Sequence, residues 1–170
     1  MKLTRRQVMA AMAAVPVAGG LAAGTAAWQW WGRPPGQGLR ALSDDEHAFV
    51  QALAEAWLPR GGSPRLSGAD AELGLFLDDI LASMRGVQAR ELKLLLQVLD
   101  DLPRLRHGGR PFRALSLDER IAQLDEWVHS DQWLLRNATQ AVLALLGGGY
   151  TTHPDVLPHL SPWFKCAYGR

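Results

Sequence analysis

Leu73, Phe76, Leu77, Ile80, Leu81 and Met84 recur at i, i+3, i+4, i+7, i+8 and i+11. Only an α-helix turns that spacing into one continuous apolar stripe. The composition after Gly32 extends the inference to the whole body, with 26 Leu against 8 Val plus Ile. Leucine favours helices and β-branched residues favour strands, so the chain reads as all-α, a small bundle of about five helices. Roughly 135–140 residues remain once the N-terminal segment is set aside, enough for one domain with a real core.

That N-terminal segment has its own chemistry. Thr4-Arg5-Arg6-Gln7 places an arginine pair ahead of a run without charge from Val8 to Trp31. The run is rich in Ala and Gly and holds one Leu, so it is weakly apolar for its length. An arginine pair before such a run is the pattern of a twin-arginine signal over residues 1–32, with Arg5 and Arg6 as its recognition residues and a periplasmic destination. Thr25-Ala26-Ala27 offers a signal peptidase small residues, with cleavage before Trp28. The run also exceeds the roughly 20 residues that span a bilayer as a helix, and Trp28, Trp30 and Trp31 suit a membrane interface. A retained signal would therefore act as a membrane anchor. Residues 33–42, opening on Arg33-Pro34-Pro35-Gly36, read as a Pro/Gly linker that uncouples this segment from the body.

Punctuation divides residues 43–149 into five helices. Ser43-Asp44-Asp45-Glu46 and Ser116-Leu117-Asp118-Glu119 are capping boxes opening the first and fourth. Pro59 closes the first. The second is expected from near Asp70, with at least one of Asp78 and Asp79 in water, since adjacent helical residues point about 100° apart. The third, about Gln88 to Leu102, is apolar on two faces: Leu92, Leu95, Leu96 and Leu99 on one, Leu94, Val98 and Leu105 on the other. That pattern predicts a central helix. The fourth carries Leu117, Ile121, Leu124 and Val128 inward. The fifth, about Asp131 to Leu146, carries Leu135, Ala138, Val142 and Leu145, and Gly147-Gly148-Gly149 is expected to stop it. Residues 150–170 form an irregular arm with Pro154, Pro158 and Pro162 beside Trp163, Phe164 and Tyr168. Prolines exclude a long helix there, and the aromatics need a surface to cover them, on this bundle or on another protein.

No catalytic pattern emerges. The glycine run follows a helix, whereas a dinucleotide fingerprint follows a strand. His47, His107, His129, His153 and His159 form no i, i+4 pair, and no cysteine pair supports a metal site. No serine sits in a nucleophile elbow. His129 and His153 are the acid–base candidates by residue type alone. Without Lys2, Arg5 and Arg6 the 18 basic residues fall to 15 against 17 acidic, which leaves no electrostatic footprint for nucleic acid. Cys166 is the single cysteine. In an oxidising compartment it is either a buried thiol or half of an intermolecular disulfide.

The body resembles the small-subunit family (subunit 3) of gluconate 2-dehydrogenase over roughly Asp44 to Val156. The likeness lies in Leu53-Ala54-Glu55-Ala56-Trp57-Leu58-Pro59 and in Gly68-Ala69-Asp70-Ala71-Glu72-Leu73 leading to Phe76-Leu77-Asp78-Asp79. It continues in Pro111-Phe112-Arg113-Ala114-Leu115-Ser116-Leu117-Asp118-Glu119-Arg120 and in Tyr150-Thr151-Thr152-His153-Pro154-Asp155-Val156. A twin-arginine start is typical of that family. The resemblance implies a non-catalytic accessory subunit that aids folding and export of a larger FAD-bearing partner of the glucose–methanol–choline type, often beside a cytochrome c subunit. The partner would hold the FAD and oxidise a sugar or other alcohol, and the pair would leave through the twin-arginine translocase. Ser161-Pro162-Trp163-Phe164-Lys165-Cys166 departs from the glycine-rich close expected of the family. The rival readings are an independent enzyme and a signal-anchored periplasmic binding or scaffold module with no dehydrogenase partner.

Overall fold

The structure is a computed structural model that describes residues 33–62 and 64–160. Its helices are α1 (Asp44–Trp57), α2 (Leu73–Ser83), α3 (Gly86–Asp101), α4 (Leu117–Val128), α5 (Trp133–Thr152) and the single turn α6 (Leu157–Leu160). Short 3₁₀ turns at Leu102–Leu105 and Phe112–Ala114 link α3 to α4. Among the described residues there is no strand, and the body is an all-α bundle.

Both capping boxes form. The Ser43 hydroxyl accepts the Glu46 N–H while the Glu46 carboxylate accepts the Ser43 N–H, and Ser116 with Glu119 repeats the exchange at α4. Such pairs satisfy donors that a helix start leaves free, using residues three apart in sequence, so they form wherever the helix forms. The Arg110 guanidinium and the Ser116 N–H hold the Glu119 carboxyl down at about 2.

The central helix is α1, not α3 as the two-faced leucine pattern predicts. It packs against α2, α3, α4 and α5, burying Phe49, Val50, Ala52, Leu53, Ala54 and Ala56. Its three buried alanines lack bulk, which lets neighbours approach from several sides. In α3 only the Leu96–Leu99 side reaches the core, while Val98 is exposed and Leu105, just beyond the helix, is 90% exposed.

Three further expectations change. The second helix begins at Leu73 rather than near Asp70, because Glu72 adopts a left-handed φ of 50° that interrupts the helical path. Asp70 instead closes the preceding loop, held by the Arg60 guanidinium and the Ser67 hydroxyl, which bring its carboxyl to about 2. In α4, Leu117 and Ile121 are more than a third exposed, and the core is filled by Leu124 and Trp127. The Trp127 ring stacks on Phe112 with centroids 5.1 Å apart, and Phe112 meets Phe49 edge-on at 5.6 Å.

The linker is not loose along its whole length. The Gly36 N–H donates to the Leu42 carbonyl at 2.8 Å, Leu39 N–H donates to Gly36, and Leu42 is completely buried. The strap over Gly36–Leu42 is thus part of the body.

Glycines 147–149 do not stop α5, which runs on to Thr152 and ends before Pro154. A Cβ on Gly149 would lie 2.5 Å from the Phe76 ring, and one on Gly147 would lie 3.1 Å from Trp57. These two glycines let α1 and α2 side chains reach the α5 backbone. Gly148 faces open space. Gly148→Ala should therefore stabilise the protein by about 0.5–1 kcal/mol through helix propensity. Gly149→Ala should destabilise it by about 1–2 kcal/mol, overpacking outweighing the same gain. Equal effects in parallel chemical unfolding would refute the packing role. The expected arm is shortened accordingly: Tyr150 donates its hydroxyl to the Leu66 carbonyl at 2.6 Å, Val156 is fully buried, and α6 packs on α5.

Candidate functional site

Two features stand out, a polar clasp at the start of α1 and an apolar groove near its end. The clasp begins with Asp78, which α2 carries on its buried side. Its carboxylate accepts the backbone N–H groups of Arg40 (2.8 Å), Ala41 (2.9 Å) and Leu42 (2.7 Å). Burial pushes this carboxyl up, but the three amide donors and the nearby His47 together hold it below the usual carboxylate range. Its neighbour Asp79 is the solvated member of the pair, bonded to the exposed Arg40 guanidinium at 2.9 Å.

Glu46 extends the clasp toward α3. It is 2% exposed, yet its carboxylate meets the Lys93 ammonium at 3.2 Å and accepts from the Gln97 amide. Lys93 also donates to the Ala41 carbonyl at 2.7 Å. One turn along α3, buried Asp100 accepts both the backbone N–H and the guanidinium of Arg113, which also pairs with Asp45 at 3.0 Å. Each buried carboxylate has donors, so the charges bind the strap, α1, α2 and α3 together without an uncompensated ion. His47 and Gln51 occupy successive turns of α1 against Gly74, and His47 Nε2 and Gln51 Oε1 are buried without a hydrogen-bond partner. Sequence reading did not find this clasp, because the only signal, acidic residues on apolar faces, does not say which backbone they meet.

The groove is lined by Ala56 and Trp57 of α1, Ile121, Leu124, Asp125 and Val128 of α4, and Leu143 of α5, and encloses about 270 Å³. It is an open apolar trough with one carboxylate at its lip. Ile121 and Val128, expected on the inward stripe, both line it: Ile121 is exposed there, while Val128 is half-buried against the core.

His129, His153 and His107 stand apart from the clasp. His129 sits at the end of α4 with Nδ1 3.0 Å from the Asp125 carbonyl, and His153 caps α5, its Nδ1 accepting the Asp155 N–H at 3.2 Å. They lie toward opposite ends of α5, a helix about 30 Å long, so they cannot share one proton transfer. His107 lies 3.3 Å from Gln123 Oε1. Among the described residues no group of three or more His, Cys, Asp or Glu is placed to hold a metal ion. None of the described helices is long and apolar enough to cross a membrane. Arg5, Arg6, Trp163, Phe164, Cys166 and Tyr168 lie outside the described residues.

Neither a family model, nor a curated protein, nor a solved structure matches this chain. The likeness to the dehydrogenase small subunits therefore rests on the residues quoted for it.

Proposed function

We propose that this chain is a non-catalytic accessory subunit of a periplasmic FAD-dependent dehydrogenase of the glucose–methanol–choline type. It escorts that partner through folding and twin-arginine export. The observation that carries the reading is where the four family-like segments meet. Glu55 of the first pairs with Arg120 of the third at 3.0 Å, and the Gly68 N–H of the second donates to Leu58 of the first at 2.9 Å. Phe76 of the second lies against Gly149, immediately before the fourth, and Tyr150 of the fourth bonds Leu66. The first segment thus touches the second and the third, and the fourth begins beside the second, while Asp78 and Arg113 of these segments reach the start of α1.

The export signal gives this region a task. A flavoprotein acquires FAD in the cytoplasm and must cross the membrane folded, and a partner carrying Arg5 and Arg6 supplies the passage. The aromatic residues Trp163, Phe164 and Tyr168 would give large contact area on the flavin subunit, and Cys166 would supply a disulfide to it.

The test is affinity purification from the periplasm through a tag on this chain. A co-purifying flavoprotein with FAD absorbance and alcohol or sugar dehydrogenase activity is expected. Isolation of this chain alone, or with stoichiometric flavin bound to itself, would overturn the reading. Arg5→Lys with Arg6→Lys preserves charge but loses the guanidinium geometry. The double variant should leave both chains in the cytoplasm, and normal export of either would separate it from the proposed escort role.

A further inference from the structure

We infer that the outer face of α3 is a self-association surface, on which a second copy of this chain lays its own α3 antiparallel about a two-fold axis at Leu96. The helix is apolar on two sides, and the bundle covers one of them. Leu96 and Leu99 are buried, while Val87 is 67% exposed, Val98 is 37% exposed, and Leu105, in the turn that continues the helix, is 90% exposed. Leu94 is half-buried and, like those three, is not among the residues packed on the core. At 100° per residue Val87, Leu94 and Val98 fall within about 40° of one another, on the side opposite Leu96. A helix with a second apolar stripe needs a second surface to cover it.

Two observations name the occupant. The first is spacing. Val87 and Leu105 stand nine residues to either side of Leu96, and Leu94 and Val98 stand two residues to either side. The stripe therefore reads the same from both ends. In an isologous pair residue i meets j and j meets i, so this symmetry lays Leu94 on Val98 of the second copy and Val87 on its Leu105. A different protein would impose no such symmetry.

The second is charge. Arg90 and Asp101 lie on one flank of the stripe, about 20° apart around the helix axis. An antiparallel two-fold brings like flanks together, and inversion about Leu96 sets position 90 beside position 102 of the second copy. Arg90 thus comes within one residue of the second copy's Asp101, and the two-fold repeats the pair. Arg90 is exposed and forms no ion pair among the described residues. Asp101 gives one carboxylate oxygen to Arg104 at 2.6 Å and keeps the other. Glu91 lies on the opposite flank, away from Asp101 of the second copy. Ion pairs flanking an apolar seam set the partner and orientation of paired helices. The contact is small, four apolar side chains per copy on a helix about 24 Å long, so the dimer should exchange with monomer in the micromolar range.

This inference does not rest on the accessory-subunit reading, and its test contains no dehydrogenase, so either can fail alone. Sedimentation equilibrium of the purified full-length chain, with reductant present so that Cys166 cannot cross-link copies, should show monomer and dimer in equilibrium. Val98→Glu should weaken the dimer by at least about 100-fold, because association would bury an unpaired carboxylate, with helical circular dichroism unchanged. Leu105→Glu, beyond the helix, repeats the test should Val98→Glu disturb folding. Arg90→Glu and Asp101→Arg should each weaken association by about tenfold, replacing two attractions with two repulsions. Combining them should restore the affinity to within about threefold of wild type. A chain that stays monomeric into the millimolar range would show that a second copy does not cover the stripe. A dimer indifferent to Val98→Glu and Leu105→Glu would be built on another face, such as the groove. A dimer indifferent to the single charge reversals, or not restored by the double one, would have another orientation. Each of these three results overturns the inference.

Discussion

Asp78→Ala is expected to lower the stability of the body by about 3–4 kcal/mol, because one carboxylate serves three backbone donors of the Arg40–Leu42 strap. Hydrogen bonds to a charged acceptor contribute about 1.5–3 kcal/mol each, and part of the loss is recovered where water reaches the strap at exposed Arg40. Asp78→Asn should cost about half as much, since the amide keeps one acceptor oxygen but turns an NH₂ toward amides that also donate. The midpoint of chemical unfolding, with an unchanged denaturant slope, measures both. The same group dictates a pH dependence. Its folded pKa is below the unfolded value of about 3.9, so its stabilisation is fully present above that value and is lost as pH falls through the folded pKa. The difference between wild type and Asp78→Ala should thus be constant from neutral pH to about 5 and shrink in stronger acid. A loss under about 0.5 kcal/mol at neutral pH would mean that the strap is held by Leu42 burial alone.

Trp127→Ala should be comparably severe, at about 3–5 kcal/mol. The indole is 3% exposed and lies on Phe112, itself packed on Phe49 of the central helix, so its removal empties the junction of α1, α4 and the 3₁₀ turn between them. Trp127→Phe keeps the stacked ring and should lose much less. Trp133, 67% exposed at the start of α5, provides the control: Trp133→Ala should change stability by no more than about 0.5 kcal/mol. Near-ultraviolet circular dichroism should lose an aromatic band in Trp127→Ala and not in Trp133→Ala. Equal behaviour of the two would contradict the packing described here.

Where sequence and structure part company, the cause is the same in each case. Gly147-Gly148-Gly149 has the composition of a helix stop, but Phe76 and Trp57, more than seventy residues away in the chain, occupy the space that side chains there would fill. Burial of the α5 face against them outweighs the propensity lost at three glycines. The leucines of α3 are symmetric enough to suggest a central helix, yet centrality went to α1, whose alanines permit closer approach. Asp78 and Asp79 are indistinguishable as neighbours in a sequence. One meets three amides and the other meets water because helix rotation, set by the α1–α2 contact, aims them apart. The groove escaped notice for a related reason: Ile121 and Val128 belong to a legible stripe, but the gap beside them exists only once α1, α4 and α5 are assembled.

Local information was enough for whatever local forces decide. Leucine bias and the period of the α2 stripe determined the all-helical class, while Ser43–Glu46 and Ser116–Glu119 determined two helix starts, each through contacts spanning three residues. The export signal proposed on Arg5, Arg6 and the weakly apolar run behind them is likewise read within a single stretch of sequence. Tertiary structure alone decided which helix is central, which aspartate is buried, where α5 ends and which apolar residues are left to line a groove. Those outcomes depend on distant side chains competing for one volume, and a residue's own neighbours carry no record of what will be pressed against it.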